Sequence, residues 1–127
     1  MPIPQLSDSS KYILELLWDK GAMTAKDIAS HLNEERGYTK GTTYKLIDRL
    51  LQKGFIRKEE PSFICIPVYT RDEVLSNETQ SFLDRFFKGS FSNLTAQLVE
   101  NKKLSQAELD VIRRIIDSSD PDDSEAK

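Results

Sequence analysis

The residues with the clearest chemical potential lie in one helix-sized segment, residues 38–54. Its apolar side chains Leu46, Ile47 and Leu50 recur at three- and four-residue spacing, which is typical of one buried helical face. Its first turns instead carry small hydroxyl side chains and lysines. Hydroxyl and ammonium groups can bind both phosphates and base edges. The segment therefore suits insertion into the major groove of double-stranded DNA.

The candidate DNA contacts are polar side chains in this segment, one glycine that allows close backbone approach, and two cations that follow it. They are Thr39, Lys40, Gly41, Thr42, Tyr44, Lys45, Arg49, Arg57 and Lys58. Some have structural alternatives. Thr39 is a good helix N-cap with or without DNA, and Arg49 can pair with Asp48 or with the first helix. Arg57 and Lys58 can be solvated strand ends, and Thr43 is predicted to face inward.

The net charge of −3 hides a segregation of charge along the chain. Residues 36–58 carry seven Lys or Arg and a single acid, Asp48. Residues 71–127 carry eight Lys or Arg against twelve Asp or Glu. Phosphate binding requires a local basic patch, so the overall negative charge does not exclude it. A solvated helix face is the structural alternative for these lysines.

The N-terminal third has the pattern of a helix-turn-helix unit. A first helix is predicted over Asp8–Lys20, capped by Ser7 and ended by Gly21. Thr24–Asp27 has the pattern of a capping box and opens a short second helix. Thr39 caps the third helix. Two helices joined by a short turn, with these lengths, are typical of a helix-turn-helix.

After Gly54 the apolar period changes from 3.6 to 2, which indicates strands. Two strands are predicted, over residues 55–60 and 63–68, around a turn at Pro61-Ser62. Pro67 has no N–H for a ladder, so its strand should lie at a sheet edge or end there. A hairpin directly after a recognition-type helix is a wing. The predicted fold is mainly α with a small β-hairpin wing.

Three further helices are predicted beyond Thr70, with little else in the chain to bury their apolar faces. Burial of apolar surface stabilises a protein by about 25 cal/mol per Å² relative to leaving it exposed to water. A homodimer of interlocked helices is therefore favoured over a helical subdomain packed on the wing. The predicted dimerisation residues are Phe82, Leu83, Phe86, Phe87, Phe91, Leu94, Leu98, Leu109, Ile112 and Ile116. The expected organisation is a winged-helix DNA-binding domain (1–70), a helical dimerisation domain (71–118) and a disordered acidic tail (119–127).

Enzyme function is not expected. His31 is the single histidine, and the sequence shows no phosphate loop, metal-ligand spacing or nucleophile elbow. No cofactor or metal is therefore predicted. Cys65 lies in an apolar strand and is expected to be a small buried hydrophobe, with a redox switch as the alternative. A single cysteine and the absence of a signal peptide or spanning segment predict a cytoplasmic protein without a membrane partner.

Several stretches along nearly the whole chain resemble the penicillinase repressor family of bacterial transcription factors (the BlaI/MecI/CopY group). The matching stretches are Leu17-Trp18, Thr24–Ala29, Tyr38-Thr39 with Thr42, Leu46–Leu50, Lys53–Ile56, Pro67–Glu73 and Ser81–Ser90. The resemblance implies a homodimeric repressor whose winged helices bind a palindromic operator, since two-fold protein symmetry matches two-fold DNA symmetry.

The resemblance also implies how repression could end. In family members that control β-lactam resistance, a sensor-linked protease triggers cleavage in the dimerisation region, and alignment places that site at Gln97 and Leu98. The family's Asn-Phe pair is absent there. Copper-responsive relatives carry paired Cys-x-Cys motifs, which this chain lacks, so no copper or zinc switch is expected.

Two alternatives from other classes remain open. One is a winged helix used only for protein contacts, without DNA affinity. The other is a ligand-sensing winged-helix regulator with a pocket between its C-terminal helices, since Gly41–Tyr44 slightly resembles the phenolic-acid regulator family.

The predicted recognition helix departs from the pattern of the penicillinase repressor family. That family usually has Lys at the position of Gly41 and a basic residue at the position of Tyr44. The operator sequence is therefore not transferable.

Overall fold

The computed structural model describes residues 3–119, and over that range it contains six helices and a three-stranded sheet. The elements in chain order are α1 (Asp8–Lys20), β1 (Met23–Thr24), α2 (Ala25–Arg36), α3 (Lys40–Lys53), β2 (Ile56–Glu59), β3 (Ile64–Pro67), α4 (Arg71–Phe87), α5 (Phe91–Glu100) and α6 (Gln106–Ser118). The predicted class, mainly helical with a small β wing, is confirmed.

The predicted N-caps are confirmed at the first three helices. The side chains of Ser7, Thr24 and Thr39 each accept a hydrogen bond from the backbone N–H three residues later. This satisfies one of the N–H groups that a helix start leaves unpaired. At the other end of α3, Gly54 adopts a left-handed φ of 82° that stops the helix. Local sequence signals therefore set the length and register of α3.

A single apolar core holds the first three helices against the sheet. Its almost fully buried members include Ile13, Leu14, Leu17, Ile28, Leu32, Ile47, Leu50, Phe55 and Cys65. Burial of such side chains stabilises by about 1.5–3 kcal/mol each. Leu46 is also buried, so the predicted anchoring face of α3 is confirmed.

The sheet contains one strand that the sequence did not predict. All pairs are antiparallel, in the order β1-β3-β2. Met23–Thr24 pairs with Cys65 and Ile64, and β3 is therefore the central strand. The prediction that this strand would either lie at a sheet edge or end at Pro67 is confirmed through its second alternative, because β3 ends at Pro67, opposite Ile56.

The start of α4 is fixed to the N-terminal core. Thr70 and Glu73 form the predicted capping box, since each backbone N–H donates to the other residue's side chain at 2.9 and 3.1 Å. Arg71 pairs with Glu15 and Asp19 of α1. Val74 is buried in the core. The first part of α4 therefore packs as part of the winged helix.

The described residues form two compact units, which divide between Ser81 and Phe82. The sequence placed its domain boundary after residue 70, eleven residues earlier. The physical reason for the difference is that Val74 and the ion pairs of Arg71 attach the first part of α4 to the N-terminal core. A capping box marks where a helix starts and says nothing about which core the helix joins.

The C-terminal unit contains the end of α4 with α5 and α6. Ser90 and Ser105 cap α5 and α6, each accepting from the N–H three residues on. The predicted break at Gly89-Ser90 is confirmed, with Gly89 at a φ of 78°. Of the predicted acidic tail, Ser119 is described and caps α6 through a bond from its N–H to the Ile116 carbonyl at 3.2 Å. Residues 120–127 lie outside the described residues.

Candidate nucleic-acid interface

Helix α3 has two chemically distinct faces. Its inner face carries Thr43, Leu46, Ile47 and Leu50, all buried, and the inward prediction for Thr43 is confirmed. Its outer face carries the exposed residues Lys40, Gly41, Thr42, Lys45, Asp48 and Arg49. Since four buried side chains anchor one face, the other is a fixed, solvent-facing surface of small and basic residues with one acid, Asp48.

The first turn of α3 is organised by two hydroxyl groups. The Thr39 hydroxyl accepts from the Thr42 N–H at 3.1 Å and donates to Thr42 Oγ1 at 3.0 Å. Thr39 therefore serves as the helix cap, which was its structural alternative. Thr42 accepts that bond and keeps its own hydroxyl proton for another acceptor. Thr42 is the better placed of the two for an additional contact.

The cations on the outer face of α3 are not neutralised within the described chain. Among the described residues, no carboxylate forms an ion pair with Lys40, Lys45 or Arg49. Asp48 instead accepts from Gln52 Nε2 at 3.1 Å. The alternative that Arg49 pairs with Asp48 or with α1 is therefore wrong. Three full positive charges face solvent on one side of one helix.

Tyr44 connects α3 to the wing. Its half-buried ring meets the ring of Phe63 edge to face, with centroids 6.0 Å apart. Lys40 Nζ lies 5.8 Å from the Tyr44 centroid. Sequence reasoning assigned Tyr44 to DNA contact alone and did not identify Phe63. The structure shows a positioning role for both, because the pair fixes the wing relative to α3.

Phe63 is the residue at which the wing is held to two helices. Besides Tyr44, its carbonyl accepts from the N–H of Ala25, the first residue of α2, at 3.0 Å. Its φ of 55° lies in the left-handed region, where a bulky residue is strained. The one available sequence signal was an aromatic residue directly after a Pro-Ser turn, and that signal is weak. Its role depends on the tertiary fold.

The two wing cations are each paired with a nearby acid. Arg57 Nη1 lies 3.0 Å from Glu59 Oε2, and Lys58 Nζ lies 3.2 Å from Glu60 Oε2. All four side chains are exposed, so these pairs are weak and screened by salt. Lys58 also sits over the Phe63 ring, 4.6 Å from its centroid. The wing therefore carries less free positive charge than its sequence suggests.

A comparison with protein families agrees with this fold. The family model described as "Penicillinase repressor" matches residues 6–118 of the chain. The chain belongs to the penicillinase repressor family. The resemblance seen in the sequence is thereby confirmed over nearly the whole chain.

Individual members of the penicillinase repressor family are distant relatives in sequence. The chain is 24% identical over 117 residues to the penicillinase repressor of Bacillus licheniformis, with 91% of each chain covered. It is 26% identical over 114 residues to the methicillin resistance regulatory protein MecI of Mammaliicoccus sciuri, covering 88% of this chain and 93% of that one. The solved DNA-binding domain of the repressor BlaI matches the fold with a TM-score of 0.52 at 20% identity, covering 57% of this chain and 93% of that one.

In this member of the penicillinase repressor family, metal binding and membrane insertion can be checked over the described part of the chain. Across residues 3–119, no cluster of three His, Cys, Asp or Glu side chains is placed to hold a metal ion. Within the same residues, no helix is long and apolar enough to cross a membrane. His31 is half-buried on α2.

Cys65 is a buried thiol in the central strand, as the sequence predicted. Burial raises the pKa of this thiol from its ordinary value of 9.0 to about 11, and the nearby Lys58 lowers it to a lesser extent. The thiolate is the reactive form. At pH 8 the folded protein should therefore label with an aromatic disulfide reagent at least about 100-fold more slowly than the denatured chain, because the thiol is both protonated and buried.

The same shift predicts a pH dependence of stability. The folded state holds the thiol proton more tightly, so this contribution to the free energy of unfolding is complete below pH 9 and is lost as pH rises towards 11. Chemical denaturation at pH 8 and pH 10.5 measures this change in the free energy of unfolding. The Cys65→Ala variant is the control, and its free energy of unfolding should lack the part of the pH dependence that comes from the thiol. For the labelling experiment, a folded protein that reacts as fast as the denatured chain would show that Cys65 is accessible to the reagent.

Proposed function

We propose that this chain is a homodimeric transcriptional repressor that binds a palindromic operator in double-stranded DNA. The observation that carries the proposal is the outer face of α3, where Lys40, Lys45 and Arg49 are exposed without ion pairs on a helix anchored by its other face. A helix of this kind fits the major groove, and its cations suit phosphates and guanine edges. Membership of a repressor family supports the same function.

The wing extends the proposed DNA surface. The Tyr44–Phe63 contact fixes it beside α3, so Arg57 and Lys58 would reach the backbone next to the groove that α3 enters. Their exposed ion pairs can be exchanged for phosphate contacts at little cost, because such pairs are weak in water. Gly41 leaves the α3 backbone open, with only the Thr39 hydroxyl near the place where a Cβ would lie.

The C-terminal unit supports the dimer part of the proposal. Exposed apolar side chains in this unit are Phe82, Phe86, Phe91, Val99, Val111, Ile115 and Ile116. Of the other predicted dimerisation residues, Phe87, Leu94, Leu98, Leu109 and Ile112 are half-buried. Such a concentration of exposed apolar side chains marks an interaction surface, and a second copy of the chain would cover it with two-fold symmetry.

Leu83 was among the predicted dimerisation residues, but its burial argues against that role. It is already buried within the single chain, with 7% of its surface exposed. A side chain that is covered in the protomer has little surface left to give to a partner. Leu83 is therefore expected to stabilise the protomer, while its exposed neighbours Phe82 and Phe86 form the interface.

Relief of repression by proteolysis is a further part of the proposal, with a sensor-linked protease as the partner. The aligned site, Gln97 and Leu98, lies inside α5, and the Gln97 carbonyl accepts from both the backbone and side-chain N–H groups of Asn101. Cleavage there requires local opening of the helix, so its rate would follow the stability of α5. Gln97 is exposed and Leu98 half-buried.

Selection of fragments of the source genome with the purified full-length chain tests the proposal. Binding of the selected duplex is then followed by fluorescence anisotropy at several salt concentrations. We expect saturable binding, with log K falling linearly against log salt by about 0.9 per neutralised phosphate. A protein-binding adaptor would give no saturable binding to any duplex at low salt, and that result would end the proposal.

A further inference from the structure

A cleft of about 270 Å³ lies between α2 and the start of α3. Its lining comes from Lys26, Ala29, Ser30 and Asn33 of α2 and from Lys40, the first residue of α3. Lys26, Ser30 and Asn33 are spaced four and three residues apart, so they share one face of α2. None of the α2 residues in this cleft was among the predicted DNA contacts.

The lining of the cleft consists of hydrogen-bond donors around a small apolar residue. Lys26, Ser30 and Lys40 are exposed, whereas Ala29 is buried and supplies a methyl group in place of a longer side chain. Asn33 Nδ2 donates to the Tyr38 carbonyl at 3.1 Å, which orients the amide and leaves its second N–H available. The cleft can therefore offer several donors to one ligand.

The charge of the cleft is positive and uncompensated within the described chain. No lining residue is acidic, and no described carboxylate forms an ion pair with Lys26 or Lys40. This contrasts with Arg57, Lys58 and Arg71, each of which is paired. Two ammonium groups, a hydroxyl and an amide N–H that line one cleft match the acceptor oxygens of a phosphate group.

We infer that this cleft holds a backbone phosphate of the DNA duplex, with Lys26 of α2 and Lys40 of α3 as its two cations. The inference rests on the proposed DNA-binding function. It commits to a DNA phosphodiester because Lys40 also begins the outer face of α3, so the cleft is continuous with the surface proposed to enter the groove. A helix in the groove places the preceding helix across the backbone.

The test compares Lys26→Ala with Lys103→Ala, which removes the same charge from an exposed site between α5 and α6. Binding is measured on the selected operator and on a duplex of scrambled sequence, each at several salt concentrations. We expect Lys26→Ala to weaken both duplexes by the same factor, about 5- to 10-fold. The slope of log K against log salt should become shallower by about 0.9 per bound protomer. Lys103→Ala should leave affinity and slope unchanged.

Variants of Ser30 test the same cleft without changing Lys26. Ser30→Glu places a carboxylate in the cleft at an exposed position, and we expect at least a 10-fold loss of affinity on both duplexes, whereas Ser30→Ala should lose about two-fold. Thermal melting by circular dichroism checks that each variant folds.

The possible outcomes separate the two proposals. If Lys26→Ala matches Lys103→Ala in affinity and slope, or weakens the operator alone, the phosphate assignment is overturned while the repressor proposal stands. If the unsubstituted chain binds no duplex in a saturable way, both proposals fall together.

Discussion

Alanine at both Lys40 and Lys45 is expected to weaken operator binding by about 100-fold or more without unfolding the protein. Both side chains are exposed and neither forms an ion pair within the described chain, so the fold loses no described salt bridge when they are shortened. A lost contact to a base or phosphate costs about 1–3 kcal/mol, and two such losses correspond to about 30- to 20,000-fold in affinity. Anisotropy titration on the selected operator measures the effect.

The matched control removes two lysines from the C-terminal unit. Lys102→Ala with Lys103→Ala gives the same change in net charge at exposed positions between α5 and α6. If the protein were attracted to DNA only by its overall charge, the two double variants would bind equally weakly. Equal affinity of the Lys40/Lys45 variant and the unsubstituted chain would remove α3 as the DNA-contacting helix.

Phe86→Asp is expected to convert the protein to a monomer at micromolar concentration. Phe86 is 65% exposed in the single chain, so an aspartate there costs the protomer little beyond the contact of its ring with Phe82, 5.2 Å away between centroids. At an interface that buries this position, the same carboxylate would lose its hydration without gaining a partner. Sedimentation velocity measures the change in mass. Operator affinity should fall by at least about 100-fold, because two linked half-site contacts become independent ones.

Leu75→Asp provides the control for this experiment. Leu75 is an equally exposed apolar residue, at 60%, and it lies in the N-terminal unit on the same helix. A carboxylate there should leave the dimer intact. A stable dimer with Phe86→Asp, or a monomer with both variants, would contradict the proposed interface.

Local sequence signals predicted most of the fold because they act through the backbone. Ser7, Thr24 and Thr39 mark helix starts by a side-chain oxygen that reaches the N–H three residues on, whatever the tertiary structure. The period of the apolar residues likewise fixed which face of α3 is buried. These signals need no knowledge of distant parts of the chain.

The features that the sequence did not predict depend on distant partners. Met23–Thr24 is a strand only because β3 lies beside it, and two residues carry no periodic pattern. The role of Tyr44 depends on Phe63 returning across the wing turn. Burial of Val74 and Leu83 depends on how α4 packs. Spacing along the chain cannot show any of these contacts.

The outline of the candidate site could be predicted because it depends on the helical period of α3. Exposure of Lys40 and Lys45 follows from the helical period once the buried face is known. The pairing of Arg57 with Glu59 and of Lys58 with Glu60 is a matter of side-chain geometry, which the sequence does not specify. The cleft at Lys26 was missed because it joins residues of two helices across a turn.

The attachment of the first eleven residues of α4 to the N-terminal core has a practical consequence for anyone who isolates that unit. A fragment ending at residue 70 would expose the space that Val74 fills and would leave Glu15 and Asp19 without Arg71. It would also release Leu6, whose N–H donates to Glu78 at 3.3 Å. Spectroscopy on the isolated unit therefore needs a chain that continues to Ser81.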